Sequence, residues 1–352
     1  MKELKQAQKM IQSKLRVTLG FFPTPLYRLE KISGDLGVNL YIKREDFSGM
    51  TLFGGNKIRK LEYLLGDARA KGCDTVITFG ATQSNHAMET ATAARKCGMK
   101  PILYLAALVE PAPENVRANL LLDTILGAEI HILPTLPGEL ISDTFVRCRG
   151  EVDARIAELE REGHKVYDMP SGGSTPIGVT GYVDAFVETM SQLQNMGVSP
   201  DYLFTGTGTG GTLAGLTAGK ALLGSSVNLI GIQVSPKNSE EYSRHVVELA
   251  NGTLDYIGAE ERADSTMFTC DPNYFAPGYE MPSPAANDDI RYLARSEGLF
   301  SDPVYSGKSF HGMLEHIRNG SVPKGSRVVF LHTGGSTALF SEAEIVGDLI
   351  QP

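Results

Sequence analysis

The chain has 352 residues, 42% of them hydrophobic and 21% charged, with a formal net charge of −8. That is ordinary composition for a soluble protein, and long enough for two domains. No long basic block and no run of about 18 apolar residues appears, so nucleic acid, anionic membranes and a membrane-spanning helix are poor expectations.

Residues 1–19 are Lys-rich and helical in pattern, with Leu4, Ile11 and Leu15 on one face. They lack the apolar core and cleavage site of a secretory signal. Cys73, Cys97, Cys148 and Cys270 are far apart. None forms a C-x-x-C pair, which points to reduced thiols in a cytoplasmic protein. The histidines are equally unclustered, and no metal is expected.

Phe21-Phe-Pro-Thr-Pro-Leu26 reads as an extended entry segment, because both prolines forbid a helix. A strand-like run, Leu40 to Asp46, precedes Leu52-Phe-Gly-Gly-Asn-Lys57 and a helix with Ile58, Leu61, Leu64, Leu65 and Ala68 at helical spacing. Further on, strands are expected at 75–79, 101–105, 130–133, 165–169, 202–205, 229–234 and 327–331. Helices are expected after the segment Gly80 to His86, ending near Gly98, and at 115–126, 143–162, 178–196, 239–250 and 310–318. Residues 268–284 read as a long irregular loop, and loops of that length are usually functional. Alternating strands and helices argue a parallel α/β sheet.

Chemistry concentrates where strands end. Gly54-Gly55 permits a sharp turn, Asn56 is a plausible N-cap, and Lys57 opens the helix. The helix dipole disfavours a cation there, which suits a Schiff-base lysine. The loop Gly206-Thr-Gly-Thr-Gly-Gly-Thr212 reads as a phosphate cradle, with glycines exposing backbone N–H groups and Thr209 and Thr212 adding hydroxyls. Gly206, Gly208 and Gly211 fit G-x-G-x-x-G, yet the next strand, ending Gly231-Ile-Gln-Val-Ser235, offers no carboxylate for a ribose. A P-loop fails because Asp302 stands where its first glycine belongs. A small phosphorylated cofactor together with a reactive lysine points to pyridoxal phosphate.

With these residues placed, the chain resembles the D-cysteine desulfhydrase and 1-aminocyclopropane-1-carboxylate (ACC) deaminase family of the tryptophan-synthase-β fold group. The motifs are Gly-Gly-Asn-Lys57-x-Arg-Lys-Leu, Gln83-Ser-Asn-His86, Ala276-Pro-Gly-Tyr279, Asp302-Pro-Val-Tyr305-x-Gly-Lys308 and Thr333-Gly-Gly335. The resemblance implies an α/β protein of two open twisted, mostly parallel sheets, a fold type II pyridoxal phosphate enzyme with the cofactor in the crevice between them. A large domain of residues 1–58 and 169–352 and a small one of 59–168 are implied. So is a homodimer acting on a small amino acid.

The implied catalytic residues are Lys57, Ser84, Tyr279 and Tyr305. Lys57 would bind the cofactor covalently and move the substrate α-proton. Asn56, Asn85, Gly208, Thr209, Gly210, Gly211, Thr212, Ser306 and Thr333 would complete the cofactor site, with Asn85 on the ring hydroxyl. Ser84 would hold the substrate carboxylate, beside Gln83, Asn85 and His86.

Within the family, deaminases carry Glu after the second Tyr and Leu before the last Gly-Gly. Here those positions are Ser306 and Thr333, which looks like the desulfhydrase branch. The expected reaction is D-cysteine to hydrogen sulfide, pyruvate and ammonia. Glu280 departs from the usual glycine, so an amine-bearing side chain, L-cysteate or another β-substituted alanine stays open as substrate. ACC deamination and a non-catalytic ligand-binding role are the remaining alternatives.

Overall fold

The computed structural model describes residues 3–49, 54–107, 116–278 and 283–340. Helix α1 (Leu4–Gln12) buries Ala7 and Ile11. It ends sooner than its sequence pattern, because the Ser13 hydroxyl turns back to Met10 O at 2.6 Å. Leu15 is left 62% exposed.

After it come β1 (Leu26–Arg28), α2 (Glu30–Leu36), β2 (Asn39–Arg44), α3 (Lys57–Ala70), β3 (Thr75–Ala81), α4 (Asn85–Lys96) and β4 (Lys100–Ala107). The middle of the chain supplies α5 (Ala118–Ile125), β5 (Glu129–Pro134), α6 (Ile141–Arg147), α7 (Arg149–Arg161), β6 (Val166–Met169), α8 (Pro176–Asn195) and β7 (Tyr202–Thr207). The last part holds α9 (Gly211–Leu223), β8 (Asn228–Gln233), α10 (Ser239–Ile257), β9 (Phe268–Asp271), α11 (Pro284–Glu297), α12 (Ser306–Arg318) and β10 (Arg327–His332).

The strands form two sheets. One has six strands in the order β1-β2-β10-β7-β8-β9, the other four in the order β5-β4-β3-β6. Every pairing is parallel except β1 with β2. Strand periodicity explains why helices cover both faces of the larger sheet. Val329 and Leu331 join Leu203 and Leu229 under α8, α9 and α10. Val328 and Phe330 point the other way, into a core with Phe204, Ile230, Phe310 and Met313. In the smaller sheet, Ile77, Phe79, Ile102 and Tyr104 pack on Val152 and Leu159 of α7.

Helix α3 joins the two bodies. Its Ile58, Leu61, Leu64 and Leu65 pack with Val76, Ala93 and Met169 of the small-sheet side. Its Tyr63 joins the core around α8. A Cβ on Gly181 of α8 would lie 2.3 Å from Arg59 O, so only glycine allows the two helices to approach this closely.

Two expectations need correction here. The helix expected over 143–162 breaks at Cys148. Arg147 is tied back to Glu139 and to Pro134 O, and Gly150 in the next turn is a weak helix former. The stretch 268–284 is not wholly loop. Phe268–Asp271 adds a parallel edge strand to β8, and Pro284 sits at the start of α11, where proline's missing N–H costs nothing. Helices α2 and α11 are absent from the sequence reading. All four cysteines are free thiols. Among the described residues, no helix is long and apolar enough to cross a membrane.

Candidate active site

The carboxyl ends of strands from both sheets face one crevice of about 400 Å³. Lys57, Ser84, Asn85, His86, the 206–212 loop, Tyr305 and Thr333 all line it.

Lys57 begins α3 with its amine 3.0 Å from Asn56 Oδ1, and Asn56 Nδ2 donates to Thr212 Oγ1 at 3.0 Å. Asn56 therefore does not cap the helix through its side chain. It bridges the lysine to the glycine-threonine loop instead. Burial holds the Lys57 amine below the usual lysine range, with the Glu89 charge pulling the other way. Desolvation is thus the main cause.

The turn before Lys57 depends on close backbone approach. Gly54 adopts φ +61, and a Cβ there would lie 2.3 Å from Asp46 O. Gly55 forms a bridge to Gly334, which places the Thr333-Gly-Gly335 motif against the lysine turn. Asn56 N–H donates to Thr333 O at 3.0 Å.

The loop after β7 has the donors to cradle an anion. Gly210 (φ +87) starts α9 with no side chain capping the helix, so its first N–H groups are left to a ligand. The loop is braced from behind. The Tyr242 hydroxyl lies 2.7 Å from Thr207 Oγ1 and 2.9 Å from Gly208 O, while Ser174 Oγ meets Thr209 Oγ1 at 2.8 Å. Lys60, missed in the sequence, adds an amine at this end. Its amine donates to Gly172 O at 3.0 Å, and a Cβ on Gly211 would sit 2.5 Å from it. Burial and the neighbouring Lys57 hold Lys60 well below its ordinary range. Backbone donors, hydroxyls and a lysine, with no carboxylate among them, fit a phosphate monoester without a ribose.

Ser84 caps α4 by accepting Ala87 N–H at 3.2 Å. Asn85 follows, its Oδ1 held by Asn119 Nδ2 at 2.8 Å. His86 Nε2 meets Thr78 Oγ1 at 2.8 Å, and burial keeps the ring well below its usual range, hence neutral. Gln83 turns away from the crevice. Its amide bonds Arg117 O and accepts Asn119 N–H at the start of α5.

Asp302 explains the motif around Tyr305. Its Oδ2 accepts the N–H of Val304 and Tyr305, and its Oδ1 accepts Ser306 N–H and Ser306 Oγ at 2.7 and 2.5 Å. Ser306 is thereby fully buried beneath the site. Of the two positions separating the branches, only Thr333 lines the crevice. Lys308 donates to Phe275 O and Gly278 O at 3.0 and 2.7 Å and so anchors the segment before Tyr279. Tyr279 and Glu280 lie outside the described residues. Away from the crevice, Asp289, His311 and Glu315 bring ligand atoms within 4.8 Å of one another. Arg318 already donates to both carboxylates, at 2.6 and 2.9 Å.

Two mostly parallel sheets sharing a crevice, with a lysine at a helix start and an anion cradle opposite, define the fold type II class of pyridoxal phosphate enzyme. Threonine deaminase isoform 2 from Solanum lycopersicum shares this fold, with a TM-score of 0.64 at 17% identity over 98% of this chain and 94% of that one. The family described as pyridoxal-phosphate dependent enzymes matches residues 17–334, and the chain belongs to it. A putative ACC deaminase from Thermotoga maritima is 39% identical over 329 residues, covering 94% of this chain and 99% of that protein. An ACC deaminase from Methylobacterium nodulans is 38% identical, covering 94% and 97%. The crystal structure of an ACC deaminase homologue matches with a TM-score of 0.84 at 35% identity, covering 97% and 98%.

Proposed function

We propose that this protein is a β-eliminating lyase that converts D-cysteine to hydrogen sulfide, pyruvate and ammonia. Pyridoxal phosphate, when bound, supplies the electron sink for the pair left behind by the α-proton. In this reading, the Lys57 amine takes that proton. Ser84 and the N–H groups opening α4 hold the substrate carboxylate. Asn85 faces the ring hydroxyl, and Lys60 with the 206–212 loop holds the phosphate. Tyr305 stands by Gly208, where its hydroxyl exchanges a proton with the leaving group.

The observation that carries the reading is the crevice's acid content. Among the described lining residues the one carboxylate is Glu139, and Arg147 holds it at 2.8 Å. Thr333, just after β10, lines the crevice, and in this reading its hydroxyl, rather than an acid, meets the ring nitrogen. A neutral ring suits β-elimination, which stores less carbanion than ring opening of a cyclopropane. ACC deamination is the second reading, favoured by the names of relatives 36–39% identical. A panel of D-cysteine, L-cysteine, L-cysteate and ACC separates the two. Sulfide and pyruvate from D-cysteine are expected. 2-Oxobutyrate from ACC, with no pyruvate from the others, overturns the proposal.

Lys57→Ala is expected to lose turnover by several orders of magnitude while keeping a weaker cofactor affinity through the phosphate cradle. Full activity in that variant removes the mechanism. A homodimer is also part of this reading. Phe21, Phe47, Phe300 and Phe340 are 54–75% exposed around one apolar groove, an unusual surface for a monomer. Phe300→Asp with Phe21→Asp is expected to halve the mass measured by analytical ultracentrifugation. An unchanged mass moves the interface elsewhere.

A further inference from the structure

Glu89 belongs to none of the motifs, yet it is hydrogen-bonded to the backbone of Lys57. It sits on α4, 1% exposed. Its Oε2 accepts the N–H of Lys57 and of Ile58, each at 3.1 Å. Helix α3 has no side-chain cap of its own, so this carboxylate, reaching across from another helix, fills that role. It also dictates Gly55, where a Cβ would lie 2.2 Å from Glu89 Oε1. The charged and titratable groups facing it are Lys57 and Lys60 from α3 and the Tyr182 hydroxyl from α8. On its own helix, His86 feels the same two lysines.

We propose that Glu89 is a positioning residue that acts through its charge, which sets how strongly the Lys57 amine holds a proton. This rests on the reading of Lys57 as the cofactor lysine and base. Burial pushes the Glu89 carboxyl up, and the charge of the nearby lysine opposes that rise, so the carboxylate form is favoured when Lys57 carries its proton. The two groups therefore titrate as a pair. When Lys57 takes the substrate's α-proton it becomes an ammonium in a low-dielectric pocket. An ionised Glu89 stabilises that ammonium, and an amide does not. The proton moves from carbon to the Lys57 nitrogen, and Glu89 supplies only the field.

Glu89→Gln and Glu89→Ala separate the electrostatic from the structural contribution. Glutamine keeps an oxygen for both N–H groups but carries no charge, whereas alanine keeps neither. In the cofactor-loaded enzyme, the pH midpoint of the near-visible absorbance is read beside the pH profile of kcat and the melting temperature. Glu89→Gln is expected to melt close to the native protein. Its absorbance midpoint and the acid limb of kcat are expected to move together to lower pH by about one unit or more. Glu89→Ala is expected to show the same shift and a lower melting temperature. Glu89→Asp, which keeps the charge, is expected to restore most of the native midpoint, and this variant decides the matter if the amide fails to fold. An unshifted midpoint in Glu89→Gln, or an aspartate variant no closer to native, overturns the proposal. Near-visible absorbance with full turnover in Lys57→Ala would instead overturn the reading of Lys57.

Discussion

Asp123 on α5 carries a carboxylate with no hydrogen-bond partner on either oxygen, at 1% exposure. Burial pushes this carboxyl up to about 8, against about 3.9 in an unfolded chain. The folded protein therefore keeps it protonated at neutrality. Because the folded value is the higher one, stability is full below about pH 4 and declines as pH rises toward 8. Asp123→Asn removes this titration. It is expected to stabilise the protein by a few kcal/mol at about pH 8 and hardly at all near pH 4. Denaturant unfolding at the two pH values checks it, and an equal effect at both sinks it. Such residues were not legible in the sequence. Lys57, Ser84 and Thr333 stand beside glycines or at strand ends, where chemistry announces itself. Asp123, Glu89 and Lys60 look like ordinary helix-surface charges until another helix is packed on them.

At the scale of elements, α3 carries most of the site, and its fixation is ionic as well as apolar. Arg59 is 2% exposed. Its guanidinium bonds Glu45 at 2.5 and 2.9 Å and Glu188 at 2.8 Å. Lys43 joins Glu188 and reaches Gln192 Oε1 at 2.6 Å. The network ties α3 to the end of β2 and to α8, on the side away from the smaller sheet. Replacing Arg59 by Met would leave the fully buried Glu45 without its cation, with Glu188 held by Lys43 alone. A loss of about 3–5 kcal/mol is expected, seen as a lower denaturant midpoint. A loss below about 1 kcal/mol would mean that water reaches the network. The sequence made α3 visible through its apolar spacing but said nothing of this network, because Glu45, Arg59 and Glu188 are far apart along the chain. Helix α2 escaped notice for a simpler reason. It is seven residues long, with Gly34 inside it, too short and too broken for periodicity to register.

For the whole molecule, strand order was beyond the sequence while the sheet class was not. Buried apolar strands alternating with helices give parallel sheets. Nothing local says that β10 inserts between β2 and β7, which brings Thr333 next to the lysine turn. The consequence is a crevice whose walls come from both bodies. Ser84 and Asn85 follow β3 of the smaller sheet, whereas the 206–212 loop and Thr333 follow β7 and β10 of the larger. A ligand touching all of them stabilises the folded arrangement by mass action, by about 2.7 kcal/mol at a hundredfold excess over Kd. Cofactor removal is therefore expected to lower the melting temperature by several degrees, and re-addition to restore it. On the proposed reading Lys57→Ala loses the covalent link but keeps the 206–212 loop, so re-addition is expected to protect it less than the native chain at the same concentration. Inorganic phosphate alone reaches the 206–212 loop and Lys60 but not Ser84 or Asn85, and is expected to protect least. Equal protection by phosphate and by cofactor would show that the smaller sheet does not share in binding, and that Ser84 and Asn85 do not face the ring.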